Sequence, residues 1–246
     1  KGMKSVVEMQ FADFVSTGFN AIVNNLAKSY WRWGQNADVV VRMPTGAGVG
    51  AGPFHSQSNE AWFFHVPGLK IVYPSNAADA KGLLCAAIDD PNPVMFFEHK
   101  ALYRSVEGNV PDGYYTLEIG KAQLASQGDE VSIITYGAGV HWALEATVGM
   151  SADVLDLRTL LPFDKEAIAA TVKKTGKVLV LHEDTLIGGI GAEISAYINE
   201  HLFEYLDAPV MRVASLDTPV PFATSLEKVF LPKGRLQQAL DKLTGY

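Results

Sequence analysis

The sequence predicts an α/β protein of two units, each a mainly parallel sheet covered by helices on both faces. Short, mainly apolar runs, such as Val39 to Met43, Val94 to Phe97 and Val131 to Thr135, read as buried strands. Segments with helical spacing stand between them in strict alternation, the pattern of a parallel sheet with crossover helices. From Tyr103 to Gly120 the periodicity lapses around Pro111-Asp112-Gly113 and then restarts, which divides the chain. The first unit is therefore expected over residues 1–108, a linker over 109–120 and the second unit over 121–246.

Val6 to Met9 reads as a buried strand, and it begins so close to Lys1 that the chain is expected to be a fragment of a longer polypeptide. Gln10-Phe11-Ala12-Asp13-Phe14 then leads into a helix reaching about Trp33, with Phe19, Ile22, Val23, Leu26 and Ala27 at helical spacing. Phe14 stands near the start of that helix, where an aromatic either caps a core or lines a pocket. The strand Val39 to Met43 is followed by a glycine-rich loop and a helix from about Asn59 to Phe64. The strand Lys70 to Tyr73 precedes Ser75 or Asn76, either of which can cap a helix over Ala77 to Ile88. Asp89 to Pro93 breaks that helix ahead of the strand Val94 to Phe97. In the second unit strands are expected at Val131 to Thr135, Val154 to Leu157, Val178 to Leu181 and Val210 to Val213. Helices are expected at Val140 to Met150, Lys165 to Lys174, Gly191 to Leu202 and Leu236 to Leu243.

Composition narrows the functional classes. The chain has 246 residues, 48% hydrophobic and 19% charged, ordinary material for a globular protein with a sizeable core. A net charge of −7, without a long basic cluster, argues against nucleic acid or an anionic membrane surface as partner. No apolar run reaches membrane-spanning length, and KGMKSVVEMQF has no signal-peptide pattern. Cys85, the one cysteine, lies in an apolar helical run and reads as core filler, so no disulfide within the chain is possible.

The most unusual stretch is TGAGVGAGPFHSQSNEAW, residues 45–62, with glycine at 46, 48, 50 and 52 just before His55. Backbone almost free of side chains can approach a ligand closely, so a bound group is expected there. Gly46 to Ala51 also fits a dinucleotide fingerprint, but Pro44 and Pro53 flank it and no helix starts inside it. That reading therefore fails on context. The remaining local alternative is a flexible surface loop with a histidine beside it.

FADF, the glycine loop, HSQSNEAWFFHVPGLKIVYPS, DAKGLL, DDPNPVMFFEHKALYR, DLRTLLPFD and HEDTLIGGIGAEI occur in this order along essentially the whole chain. In that combination the chain resembles the beta subunit of the thiamine-diphosphate-dependent decarboxylating component of 2-oxo acid dehydrogenase complexes. The resemblance implies a transketolase-type pyrimidine-binding domain, truncated at its N-terminus, followed by a transketolase C-terminal-like domain. It implies oxidative decarboxylation of pyruvate or a branched-chain 2-oxo acid such as 2-oxoisovalerate, with acyl transfer to a lipoyl group. The implied partners are an alpha subunit or an alpha-like half fused upstream, a second beta copy, and a lipoyl acyltransferase core. Thiamine diphosphate and Mg²⁺ are then held mainly by the alpha part, in the cytoplasm of a bacterium or the mitochondrial matrix of a eukaryote.

Residue by residue, the resemblance places His55 facing the cofactor, moving a proton during lipoyl acylation, a task suited to an imidazole that titrates near neutrality. It places Phe14 against the aminopyrimidine ring, with Ser56 and Gln57 orienting the loop. Some family members hold a structural K⁺, and Ala87, Asp90 and Asn92 match those positions, with Val39 or Val40 contributing. A plain Pro-terminated helix is the alternative there. His65, His99, His141, His182 and His201 read as structural, and adjacent His182-Glu183-Asp184 cannot converge on one metal ion from a strand end. Gly188-Gly189-Ile190-Gly191 could hold an anion at a helix N-terminus, but reads as close packing. The family's cofactor-contacting glutamate and its GDG-type Mg²⁺ signature find no match, so this chain alone is expected to be catalytically incompetent. Two alternatives stay open: another transketolase-like enzyme of the deoxyxylulose-phosphate synthase type, or an assembly module without chemistry.

Overall fold

A computed structural model describes residues 3–246. The first unit contains β1 (Ser5–Glu8), α1 (Ser29–Trp33), β2 (Val39–Thr45), α2 (Ala61–Phe64), β3 (Lys70–Val72), α3 (Ala77–Asp89), β4 (Val94–His99) and α4 (Leu102–Ser105). The second contains β5 (Gln123–Ser126), β6 (Val131–Thr135), α5 (Ala138–Ala146), β7 (Ala152–Asp156), β8 (Thr159–Leu161), α6 (Lys165–Thr175), β9 (Val178–Thr185), α7 (Ile190–Leu202), β10 (Met211–Ser215), α8 (Thr224–Phe230) and α9 (Lys233–Thr244).

These strands form two five-stranded sheets, ordered β1-β2-β4-β3-β8 and β10-β9-β6-β7-β5. Within each, three of the four pairings run parallel, and the pair at one edge, β3 with β8 or β7 with β5, is antiparallel. Strand β8 belongs by sequence to the second unit yet completes the sheet of the first. The largest apolar cluster also straddles the two, joining Met43, Phe63, Tyr73 and Phe97 to Tyr136, Leu155 and Leu157. The rings of Tyr73 and Tyr136 meet with centroids 5.2 Å apart.

Strands β4 and β6 at the middle of the two sheets are buried along their whole length, as their mainly apolar runs require, and helices cover both faces. Asn76 is the residue that caps α3, its side chain accepting from Asp79 N at 2.9 Å, and Asp164 does the same for α6 from Ala167 N at 3.0 Å.

Several expectations need correction. β1 is exposed throughout, with Val6 48% and Val7 43% accessible, because it is an edge strand paired on one side only. The helix expected to reach Trp33 is instead a succession of 3₁₀ turns at Ala12–Gly18 and Leu26–Lys28, a π turn at Ala21–Asn25 and the short α1. Its apolar spacing is real, since Ile22 and Ala27 are buried, but β-branched and Asn residues are weak helix formers. The Thr17 and Ser29 hydroxyls also donate to the Phe14 and Asn25 carbonyls, competing with the regular ladder. α5 ends at Ala146 rather than Met150, and Cys85 is only half-buried on α3. Strands β5 and β8 and helix α8 have too short a pattern to be read from periodicity.

Candidate functional site

Parallel strands β1, β2, β4 and β3 present their carboxyl ends on one edge, where ligands meet open α/β sheets. The turn after β1 brings Phe11 and Phe14 to that edge, and the loop after β2 brings His55. The exposed His55 ring stands edge-on to Phe14 at 5.4 Å and 76°, and to Phe11 at 5.9 Å and 77°. Phe14 keeps 42% exposure, so it lines the surface rather than capping a core. The two residues singled out for catalysis and cofactor contact are thus neighbours.

Hydrogen bonds hold the histidine loop on both sides. Gln57 donates its backbone N–H at 3.0 Å and its Nε2 at 3.1 Å to Asp13 Oδ1, and Asn59 Nδ2 donates to the Ala12 carbonyl at 2.9 Å. The Thr45 hydroxyl donates to the Gln57 carbonyl at 2.8 Å. At Gly46, with φ of +92°, an added Cβ would collide with the His99 ring, so only glycine fits.

The glycine-rich loop gives several of its N–H groups to carboxylates of this same chain. Ala47 N donates to Glu183 Oε1 at 2.6 Å, and Gly48 N and Gly50 N donate to Glu227 at 2.9 and 3.1 Å. Both carboxylates come from the second unit and occupy the cradle. Glu183 also accepts from Ser58 Oγ at 3.0 Å and pairs with His99 Nε2 at 2.5 Å, the side chains 5% and 1% exposed. Burial opposes ionisation of this carboxyl, but the charge and hydrogen bond of His99 more than offset it and hold Glu183 below its ordinary value.

Two further groups, Lys100 and Glu60, escaped the sequence reading. Lys100 follows β4, and its buried Nζ lies 4.9 Å from the centre of the Phe11 ring without a hydrogen-bond partner. Burial pushes its ammonium down to about 8, against the attraction of Asp13, Glu183 and Glu227. Glu60 is fully buried, accepts from Tyr136 OH at 2.7 Å, and is pushed well above the carboxylate range by burial and by the charge of Asp184. Asp184 is itself raised, chiefly by burial. A partnerless lysine or a buried glutamate has no sequence signature, because its burial depends on the other unit.

The remaining side chains disperse. His182 packs against Gly189 and Gly191, where a Cβ on either would collide with its ring, so these glycines do serve close packing. Glu183 turns to His99, while Asp184 Oδ1 accepts from Thr185 N at 2.7 Å. His141 Nε2 meets the Ser75 carbonyl at 2.7 Å. At the end of α3, Lys4 Nζ donates to the carbonyls of Ile88 and Asp89 at 2.7 and 3.0 Å. Asp90 pairs with Lys70, and its Oδ1 accepts from Asn92 N and Nδ2, both at 2.9 Å, beside buried Ala87. Among the described residues, no group of three or more His, Cys, Asp or Glu side chains is placed to hold a metal ion.

Two sheets of this kind, joined through one core with the site on the carboxyl edge of the first, define a transketolase-type pair of domains. The family model for the transketolase pyrimidine-binding domain matches residues 1–106, and that for the transketolase C-terminal domain matches residues 120–235. A solved split-gene transketolase, described as an inactive beta4 tetramer, shares the fold with a TM-score of 0.74. It is 24% identical, over 98% of this chain and 75% of that one. Among curated relatives, the 2-oxoisovalerate dehydrogenase beta subunit of Bacillus subtilis is 49% identical over 94% of this chain and 73% of its own length. The mitochondrial 2-oxoisovalerate dehydrogenase beta subunit of Dictyostelium discoideum is 43% identical over 94% of this chain and 65% of its own. A mitochondrial pyruvate dehydrogenase E1 beta subunit of Oryza sativa is 42% identical over 95% of this chain and 65% of its own. The chain belongs to this family of dehydrogenase E1 beta subunits.

Proposed function

We propose that this chain is the beta part of a thiamine-diphosphate-dependent 2-oxo acid dehydrogenase that decarboxylates a branched-chain 2-oxo acid such as 2-oxoisovalerate and passes the acyl group to a lipoyl arm. The observation that carries the reading is His55 held edge-on between Phe11 and Phe14 on the carboxyl edge of a parallel sheet. The half-exposed Phe14 offers a flat heterocycle an aromatic surface to cover, which fits the aminopyrimidine. With Glu183 and Glu227 filling the glycine loop, the chain offers no cradle there for a diphosphate with Mg²⁺, so an alpha subunit or alpha-like half supplies it. A second beta copy and a lipoyl acyltransferase core complete the proposed assembly. No helix among the described residues is long and apolar enough to cross a membrane, and the proposed setting is the bacterial cytoplasm or mitochondrial matrix.

Thiamine diphosphate, when bound, supplies the ring that accepts the electrons released by decarboxylation. Phe14 orients the pyrimidine, Phe11 and Phe14 restrict His55 to one orientation, and His55 Nε2 or Nδ1 carries the proton needed at the lipoyl sulfur. Ala87, Asp90 and Asn92 are the proposed K⁺ position. Because Lys4 already serves the neighbouring carbonyls, KCl in place of NaCl should raise the melting temperature more in Lys4→Ala than in the parent.

The reading is tested by assembling the chain with its alpha partner, thiamine diphosphate and Mg²⁺ and comparing 2-oxoisovalerate, pyruvate and acetoin. At least a tenfold preference in kcat/KM for 2-oxoisovalerate is expected; turnover of none of the three would overturn the reading. His55→Ala should lower lipoyl acylation by on the order of 100-fold, with a smaller loss when an artificial electron acceptor replaces the lipoyl group.

A further inference from the structure

We infer that Asp13 is a positioning residue of this site, a single carboxylate that sets Phe14 and His55 in register with one another. Asp13 precedes Phe14 in the chain, so its backbone carries the aromatic ring. Its Oδ1 accepts both the N–H and the Nε2 of Gln57, two residues beyond His55, at 3.0 and 3.1 Å. The adjacent bond from Asn59 Nδ2 to the Ala12 carbonyl, 2.9 Å, ties the same two segments a second time. The rings of Phe14 and His55, which meet at 5.4 Å, have no direct covalent or hydrogen-bonded link in this structure. The Asp13 to Gln57 bridge is the side-chain route, beside the Asn59 to Ala12 bond, by which one ring constrains the other.

Two features separate this bridge from ordinary loop packing. Asp13 is 8% exposed and its second oxygen, Oδ2, makes no hydrogen bond. The Lys100 ammonium, also buried without a hydrogen-bond partner, lies over Phe11 at 4.9 Å and is attracted by Asp13. The charged groups around Lys100 are Asp13 from the turn after β1, Glu183 from β9 and Glu227 from α8. Of these, Asp13 exerts the largest attraction, while the other two are engaged with loop N–H groups. Lys100 thus puts a buried positive charge within the attraction of the Asp13 carboxyl that accepts these two hydrogen bonds. A carboxylate carrying the register of two site residues is placed to affect cofactor binding through Phe14 and proton transfer through His55 together.

The inference rests on the assignment of Phe14 and His55 made above, and its test has a readout independent of activity. In the assembled holoenzyme, Asp13→Leu should raise the concentration of thiamine diphosphate needed for half-maximal activity at least tenfold and lower kcat for lipoyl acylation at least tenfold. Asp13→Asn, which retains the acceptor oxygen, should restore both to within about threefold of the parent. Phe14→Ala should move chiefly the cofactor requirement, and His55→Ala chiefly the acylation step. The aromatic ring-current shift on the His55 imidazole protons, read by NMR, should collapse in Asp13→Leu and persist in Asp13→Asn. If the shift persists in Asp13→Leu, or if Asp13→Asn is as damaging as Asp13→Leu, the positioning role is overturned. If the shift collapses while acylation is unchanged, the positioning stands and the assignment of His55 fails. Should Asp13→Leu not fold, Gln57→Ala provides the second test: both parameters should move in the same direction by two- to fivefold, and no movement in either overturns the inference.

Discussion

Two glycine-rich segments, residues 46–52 and 188–191, look alike in composition and end in opposite roles. The first lies between the units: its N–H groups are taken by Glu183 and Glu227, and it delivers an exposed histidine to the carboxyl edge of the first sheet. The second opens α7 and closes over His182, which is 0% exposed and makes no hydrogen bond through either ring nitrogen. One segment exchanges side chains for charge-assisted hydrogen bonds, the other for close approach to an imidazole. Glycine content therefore reports that backbone must come close to something; the thing approached is set by strands far away in sequence.

The contrast can be broken most forcefully at Glu183. Glu183→Ala leaves His99 buried without its partner and frees Ala47 N and Ser58, and should cost about 4 kcal/mol in chemical denaturation. Gly46→Ala combines a left-handed φ of +92° with a collision against the pinned His99 ring and should cost about 3 kcal/mol. In the second segment, Gly191→Ala meets His182 and should cost about 2 kcal/mol. Gly188→Ala, with φ of +76° but open space around the new Cβ, should cost only about 1 kcal/mol. Equal costs at Gly191 and Gly188 would show that His182 yields easily.

Acidification sharpens the same comparison. Burial lowers the His182 imidazole to about 4, so the fold holds it neutral. As pH falls from the ordinary histidine value towards 4, the unfolded chain gains a proton that the folded chain refuses, and stability should drop. Asp184 acts with the opposite sign: its raised carboxyl favours the folded state at low pH and loses that contribution as pH rises through its folded value. Asp184→Asn should therefore steepen the acid loss measured by urea titration between pH 6.5 and 4, and a shallower slope would contradict the assignment.

Much was legible in the residues. The two α/β units, the central strands, a cap at Ser75 or Asn76 and the placing of Phe14 and His55 at one site follow from mainly apolar runs, helical spacing and the ordered motifs of the family. These are local signals, since a strand buried on both faces must be apolar throughout and a helix start needs an acceptor for its first N–H groups. The exposure of β1, the crossing of β8 into the first sheet, the capture of the glycine loop by Glu183 and Glu227, and the burial of Lys100 and Glu60 were not legible. Each is a relation between residues from different elements, often from different units. Burial and hydrogen bonding are properties of what the fold places opposite a side chain, and a linear pattern carries the demand for a partner without naming it.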